Sequence, residues 1–589
     1  MDEKSSKPVV RATTRWVRTA GNHKVVLWVL GAVLVMSCGV GVVTAPHAPA
    51  AQRAQVLASS TSPTHNGTGS RRDRRPNVLM VMTDDMRVDE LRFMPSVRAY
   101  LGRRGLQFQN SFSPYPLCCP ARASFLSGQY SHNHEVFSHA KPYGFGAFDD
   151  SETLATALHR SGYNTGFVGK YLNGYGQMRS RVTGKESLRY VPAGWTDWHA
   201  GSDGTRRLRA SSPYRGYTYN YFDTTFNVNG RLEAHDGEYQ TTVLGRKVRG
   251  LIAAYHRSPA PFFLYMSTVA PHGGGPRELG DPVAVPTPEG GVRNFDQPAR
   301  PTGVKGRFND VISRSPGLPA DGSSPEADNS DKPEYMRRLS ELSTEEREAL
   351  TNVARQRAES LWVVDLQFKK IVRKLKRTGE YKNTVIMFTS DNGYFLGEHR
   401  IRQGKVRPYE PALRVPFLVA GPGFGRGNRY DPIKTMDVTA TIADLANTQF
   451  RYRTDGRSLL PTMKRGDRGW RTPVLTEALM RNLSSSPGES LAAGFDDARQ
   501  AVGVRTARYK YIRYATGEAE LYDLDRDPGE LRNVVDQPAY ARVQRKLHAT
   551  WLTYKDCAGD GCRARMPKLL QAGPEALRRS TRLQQSRLR

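Results

Sequence analysis

The chain has 589 residues and a formal net charge of +30, from 87 Lys and Arg against 57 Asp and Glu. That length exceeds one ordinary core, so one large domain with a smaller appended unit and polar flanks is expected. The basic balance suits acidic partners, but no zinc-finger spacing, RNA-binding aromatic signature or basic zipper is present, and no nucleic-acid partner is expected.

Residues 1–50 read as a signal peptide or an N-terminal membrane anchor. Lys4, Lys7, Arg11, Arg15, Arg18 and Lys24 precede the uncharged apolar run Val25 to Ala45, and Ala48-Pro49-Ala50 offers small residues for cleavage. The run is just long enough to span a bilayer, so secretion and anchoring to the outer face of the membrane stay open as alternatives. Both imply export. Val35-Met36-Ser37-Cys38 is a poor lipoprotein signal. Residues 51–75 read as a flexible linker. Five cysteines are too few for disulfides to be the main source of stability. Cys557 and Cys562 could close a small loop, whereas Cys118 and Cys119 need another explanation.

From Pro76 the pattern changes to Asn77-Val78-Leu79-Met80-Val81-Met82, a buried strand. Similar runs at 165–168, 261–267, 384–388 and 415–419 are separated by stretches that can hold helices. This predicts an α/β fold with a large, mixed and mostly parallel sheet flanked by helices over residues 76–460. Residues 273–340 are rich in Gly, Pro, Ser and Asp and read as a long irregular insertion near the mouth of a site. A helix is expected from about Ser343 to Thr378, opened by the capping box Ser343-Thr344-Glu345-Glu346 and closed at Gly379. Its apolar face is Leu350, Val353, Leu361, Val364, Phe368, Ile371 and Leu375. Residues 461–565 form the appended unit, a small antiparallel sheet with a helix near 537–554. The tail 566–589 is basic and expected to be mobile.

Thr83-Asp84-Asp85 follows directly on the first strand and Ser390-Asp391-Asn392-Gly393 on the strand at 384. Carboxyl ends of parallel strands face the ligand crevice, so the two acidic clusters should converge there. Three carboxylates and an amide oxygen make a hard, oxygen-only set suited to calcium or magnesium. Either cluster alone reads equally as a turn. Cys118 stands just before a helix started by Pro120, where free amides and the helix dipole favour an anion. A reactive thiolate, a buried structural cysteine and a strained vicinal disulfide with Cys119 are all open readings there.

Cys118-x-Pro120-x-Arg122, followed by Leu126-Ser127-Gly128, resembles the type I sulfatase signature, in which the first cysteine is oxidised to formylglycine (3-oxoalanine). The resemblance runs over about residues 76–563 and takes in Asp84-Asp85, Ser390 to Gly393, Gly397, His399, Lys405, Tyr409, Glu410 and Arg414. Tyr130-Ser131-His132-Asn133-His134 and Gly169-Lys170-Tyr171-Leu172-Asn173 look most like the glucosamine-6-sulfatases that act on heparan-type chains. The Cys557 and Cys562 pair has a similar counterpart in that group.

The resemblance implies a formylglycine at 118, installed by a formylglycine-generating enzyme, and a calcium ion held by Asp84, Asp85, Asp391 and Asn392 with residue 118. The hydrated aldehyde would attack sulfur, expel the alcohol and then release sulfate by collapsing to the aldehyde. Arg122 would brace residue 118, Lys170 and Lys405 would contact the ester, and His272, in Ala270-Pro271-His272-Gly273, would be the general acid. Many sulfatases carry a histidine two residues after the first active-site lysine. Here that position is Leu172, so His132, His134 and His399 are candidates for the missing base, and Asn173 for a substrate contact. The expected substrate is a sulfated sugar resembling N-acetylglucosamine-6-sulfate. A phosphonate or phosphate ester hydrolase of the same superfamily is the enzymatic alternative. A sulfated-polysaccharide binder with unmodified Cys118 is the non-catalytic one.

Overall fold

The structure is a computed structural model that describes residues 73–204, 208–209, 211–478 and 499–588. The expected signal or anchor segment 1–50, Cys38 and all but the last residues of the linker 51–75 lie outside the described residues. Among those described, no helix is long and apolar enough to cross a membrane.

Sixteen strands are present among the described residues. The first seven are β1 (Asn77–Thr83), β2 (Leu106–Phe112), β3 (Asn164–Lys170), β4 (Asp197–Gly201), β5 (Asp223–Val228), β6 (Arg231–Asp236) and β7 (Phe262–Ser267). A short hairpin, β8 (Val285–Pro286) and β9 (Val292–Arg293), lies in the insertion, and β10 (Thr384–Ser390), β11 (Phe417–Ala420) and β12 (Gly427–Lys434) follow. All but the hairpin form one ten-stranded sheet in the order β12-β2-β11-β10-β1-β7-β3-β4-β5-β6. At its centre β1 runs parallel to both β10 and β7, while β11 is antiparallel to β10 and β2.

Alternation along β1 explains the layers. Val78, Met80 and Met82 join the core on one face, with Ala123 and Phe125 of the helix Cys118–Ser127 and Val438 and Ile442 of the helix Thr435–Leu445. Leu79 and Val81 join the core on the other, with Val243 and Leu244 of the helix Gln240–Tyr255 and Leu361, Val364 and Phe368 of the helix Thr344–Arg377. Both faces of the central strands are thus covered, as their continuous apolar sequence requires. The long helix starts as expected: Ser343 Oγ accepts the Glu346 amide at 3.1 Å, and the Glu346 carboxylate accepts the Ser343 amide at 3.1 Å.

The C-terminal unit is a four-stranded antiparallel sheet, β13 (Val474–Ala478), β14 (Ala501–Arg505), β15 (Tyr509–Tyr514) and β16 (Ala519–Asp523), followed by the helix Ala541–Tyr554. Residues 566–588 differ from the mobile tail expected over 566–589. Pro574–Arg587 is a helix whose Leu577 is fully buried, and its Thr581 Oγ1 accepts from Asn110 Nδ2 of β2 at 2.9 Å. Leu577, Thr581 and Gln584, spaced three and four apart, form a narrow buried stripe that the surrounding arginines mask in the sequence.

Buried ions join this unit to the main sheet. Glu410 meets Lys510 at 3.0 Å, Arg505 at 3.2 Å and Arg414 at 3.4 Å, and Lys510 also pairs with the fully buried Glu530. Burial works against ionising Glu410, but Arg505, Lys510 and Arg414 outweigh it and hold its carboxyl well below the usual range. Removing one cation from such a cluster strands its partners in a dry environment. Lys510→Met is expected to cost about 3 kcal/mol or more, read as a lower urea midpoint. An unchanged midpoint would show that the cluster does not hold the two units together.

Candidate active site

The β1–β10 register sets Thr83 beside Ser390, which brings Asp84, Asp85, Asp391 and Asn392 together at the carboxyl ends of two neighbouring strands. All four are buried. Asp85 turns the chain with a positive φ of 66°, a conformation that a non-glycine residue holds only when its surroundings fix it. The Asp85 amide donates to Asp391 Oδ1 at 3.0 Å, and Arg357, from the long helix, donates to the Asp85 carbonyl at 2.6 Å. Arg357 is a site-shaping residue that sequence reasoning missed, because it interrupts an apolar face and matches no motif.

Cys118 is the first residue of the helix Cys118–Ser127, one position further in than expected, and no side chain caps that end. Its Sγ lies 2.9 Å from Asp84 Oδ1, 3.6 Å from Asp85 Oδ1 and 2.7 Å from Lys405 Nζ. Burial, then Asp84, raises the thiol well above its ordinary pKa, which makes an unmodified thiolate a poor candidate nucleophile here. Cys119 is free and turned away, with its Sγ 3.9 Å from the Asn173 carbonyl, so the vicinal disulfide is not formed.

Three cations face the three carboxylates. Lys170, at the end of β3, pairs with Asp84, and Lys405 pairs with Asp85. Arg122, one turn along the helix from Cys118, donates Nε to Asp391 Oδ2 at 2.8 Å and keeps a second nitrogen 3.7 Å from Asp84. Burial opposes ionisation of Asp84 and Asp85, but the lysines, His272 and, for Asp84, Arg122 overcome it and hold both carboxyls low. Asp391 goes the other way: burial and the neighbouring Asp84 push it up to about 6. Three carboxylates packed this tightly cannot all ionise comfortably without further positive charge.

His272 Nε2 is 3.6 Å from Asp85 Oδ2, while its Nδ1 lies 2.7 Å from the Gly273 carbonyl. With Nδ1–H held by that carbonyl, Nε2 is the nitrogen free to take up and give back a proton. Burial lowers the His272 pKa, with Asp84 and Asp85 partly restoring it.

The donor set fits a hard divalent cation. Atoms of Asp84, Asp85, Cys118 and His272 lie within 4.8 Å of one another, and Asn392 Oδ1 is buried without a partner while its Nδ2 donates to Asp85 at 2.6 Å. An orphaned amide oxygen beside crowded carboxylates is what an oxygen-ligated ion would satisfy.

Beyond His272 opens a cavity of about 500 Å³ lined by His139, Asn173, Tyr219 and residues of the irregular insertion, including Arg277 and Asp296. Asn173 Nδ2 donates to the Tyr219 hydroxyl at 2.6 Å, leaving its Oδ1 buried and unpartnered. Tyr219 stands 4.8 Å from the Lys170 ammonium and 4.9 Å from the His272 ring. His139 Nε2 is also buried without a partner, and burial with Lys405 and Lys170 nearby keeps that ring neutral. Sequence reasoning missed His139 because it stands in an irregular stretch outside every motif.

The three other candidate histidines are placed elsewhere. His132 is bound by Glu477 at 2.8 Å and the Cys557 carbonyl at 2.6 Å. His134 is buried against Ser124 Oγ at 2.9 Å, and His399 pairs with Glu326 at 3.2 Å and stacks on Tyr409 at 4.5 Å. Leu172 is part of the apolar core, which has no room for a solvated base. Cys557 and Cys562 are joined by a disulfide.

A family model described as Sulfatase matches residues 76–448, which contain the charged pocket from Asp84 to Lys405 and His272. The chain belongs to the sulfatase family. It is a sulfatase enzyme by that membership, and a second model, N-sulphoglucosamine sulphohydrolase C-terminal, matches residues 397–556. This sulfatase is 30% identical to an arylsulfatase of Volvox carteri over 84% of this chain and 77% of that one. It is 28% identical to the N-acetylglucosamine-6-sulfatase of Homo sapiens over 83% of this chain and 86% of that one. The solved structure of BT4656 in complex with its substrate D-glucosamine-2-N,6-O-disulfate shares the fold. Its TM-score is 0.61 at 20% identity, covering 82% of this chain and 98% of that one.

His134 gives the sulfatase a pH dependence apart from its chemistry. Burial lowers its pKa from 6.5 to about 3, so the unfolded chain takes up a proton near pH 6.5 that the folded chain refuses until near pH 3. Stability from this group is therefore present above pH 6.5 and is lost as pH falls toward 3. Between pH 7 and 5 the wild type is expected to lose about 2 kcal/mol more stability than His134→Gln, measured by urea unfolding at both pH values. Equal losses would show that the ring is charged in the fold.

Proposed function

We propose that this sulfatase removes sulfate from a sulfated sugar resembling N-acetylglucosamine-6-sulfate, with Cys118 converted to formylglycine. The position of Cys118 Sγ carries the reading: it lies between Asp84 and Lys405 at an uncapped helix start. A hydrated aldehyde at 118 and a calcium ion on Asp84, Asp85, Asp391 and Asn392 would together supply an oxygen nucleophile and the charge to hold a sulfate ester. Arg122 keeps residue 118 and Asp391 in register through the helix. Lys170 and Lys405 present ammonium groups to the sulfate oxygens. His272 Nε2 donates the proton that the departing sugar oxygen needs, and Tyr219 fixes the ring beside it. His139, which lines the cavity with a buried, unpartnered nitrogen, is better placed than His132, His134 or His399 to handle a second proton.

The likeness to the human enzyme and to the glucosamine disulfate complex supports the choice of sugar. In the same reading residues 76–460 are the catalytic domain, residues 461–565 are its C-terminal subdomain, and residues 1–50 direct export. Maturation at Cys118 is assigned to a formylglycine-generating enzyme acting before the site closes, since the residue is fully buried.

A panel of aryl sulfate, N-acetylglucosamine-6-sulfate, phosphate diester and phosphonate monoester tests this reading. Sulfate esters are expected to dominate, and faster turnover of the phosphonate would contradict the assignment. Cys118→Ala should lower turnover by at least about 10⁴-fold with the fold intact. His272→Ala should cost about 100-fold on the sugar sulfate and distinctly less on an aryl sulfate, whose phenol leaves without a proton. Equal losses on both substrates would remove His272 as the proton donor.

A further inference from the structure

Behind the catalytic helix the chain builds a second basic site. The segment after the helix Thr435–Leu445 is tied to the far end of Cys118–Ser127. The amides of Asp455 and Gly456 donate to the Gly128 carbonyl at 2.9 and 3.2 Å, and the Tyr452 hydroxyl donates to the Ser127 carbonyl at 2.7 Å. The helix places this segment about 15 Å from Cys118 along its axis. With the loop closed by the Cys557–Cys562 disulfide, the segment forms a groove of about 790 Å³ lined by Arg451, Arg453, Arg457 and Arg563. An adjoining cavity shares Arg457 and Arg563 and adds Arg468, Arg471 and Arg565.

Little on the protein neutralises these guanidinium groups. The two carboxylates in the lining are engaged internally. Asp431 accepts the amides of Arg468 and Gly469 at 2.9 and 2.8 Å, and Asp444 accepts from Ser458 Oγ at 2.5 Å. Arg563 pairs with the exposed Asp560 at 2.9 Å, and Arg451 and Arg453 reach only looser, exposed pairs with Glu152 at 3.9 Å and the same Asp560 at 3.6 Å, which contribute little. Phe450 and Tyr452, with ring centroids 5.5 Å apart, add aromatic surface to the same groove. Guanidinium forks match the oxygens of sulfate groups, and aromatic rings accept the apolar faces of sugar rings.

The Tyr130 to His134 motif, which the catalytic site does not use, holds this groove in shape. Asp455 Oδ2 accepts the Tyr130 amide at 2.7 Å and Asn133 Nδ2 at 2.8 Å, while Asp455 Oδ1 accepts the Gly559 amide at 2.6 Å. His132 and Asn133 grip the Cys557 carbonyl at 2.6 and 2.9 Å. Both walls of the groove are therefore anchored to the catalytic helix, and Arg563 is locked to the Gly456 carbonyl at 2.7 Å.

We propose that this arginine groove is a secondary binding site for sulfated stretches of a polysaccharide, separate from the catalytic pocket. The choice of ligand rests on the sulfated-sugar reading of the active site. Binding of a heparin decasaccharide to the full chain, by titration calorimetry at low and moderate salt, tests it. The wild type should bind and weaken steeply with salt. Arg453→Glu/Arg468→Glu/Arg565→Glu, all at exposed positions, should bind at least about tenfold more weakly with a shallower salt slope. The corresponding Arg→Lys triple variant keeps the charge but not the forks, so it should bind more weakly than the wild type yet more tightly than the glutamate variant, with the salt slope retained. That separates lost charge from lost folding. Unchanged binding in the glutamate variant would overturn the proposal, as would equal affinity for a desulfated chain or for single-stranded DNA of similar length. The readout needs no turnover. A failure here leaves the sulfatase chemistry standing, and an inactive enzyme that still binds the chain leaves the groove standing.

Discussion

Three carboxylates, Asp84, Asp85 and Asp391, and three cations, Arg122, Lys170 and Lys405, share one buried pocket, and the placement of almost every site element follows from balancing them. Charges this dry are tolerated only when paired and hydrogen-bonded. The six come from five segments: the ends of β1, which carries both Asp84 and Asp85, of β3 and of β10, the start of the catalytic helix, and the loop carrying Lys405. The pocket therefore requires the whole central sheet to be in register. The same balance leaves a place for more positive charge, since Asp391 is pushed up to about 6 and Asn392 Oδ1 has no partner.

The sheet supplies what the pocket needs. Parallel pairing of β1 with β10 and β7 puts three strand ends side by side, and each delivers acid, amide or histidine to the crevice. The long helix then does more than cover the sheet. Arg357 holds the positive-φ turn at Asp85 by its carbonyl and pairs with Glu90 at 2.6 Å, linking helix packing to the geometry of a carboxylate in the candidate site. The disulfide loop and the Tyr130 to His134 motif brace the opposite end of the catalytic helix, away from the chemistry.

Much of this was legible in the sequence because it depends on local pattern. Short apolar runs marked the central strands, and Ser343 with Glu346 marked the start of the long helix. The acidic clusters were readable because they sit directly after strands. The outer strands β4 to β6, β2 and β12 were not, since their residues alternate irregularly and their pairing is set by tertiary contacts. The helix Pro574–Arg587 was hidden by its many arginines, although its three buried residues share one stripe. His132, His134 and His399 looked like proton carriers because they lie in motifs, but a motif does not say which way a ring faces. His139, which does line the cavity, has no local signature at all.

The central claim is that residue 118 works as an aldehyde hydrate and not as a thiol, whose ionisation the buried site opposes. The mass of the proteolytic peptide containing Cys118, from active protein made in its own host, tests this most directly. The account predicts a peptide in which sulfur and two hydrogens are replaced by one oxygen, and which reacts with a hydrazine probe. A fully active preparation whose Cys118 peptide keeps an intact, alkylatable thiol would contradict it.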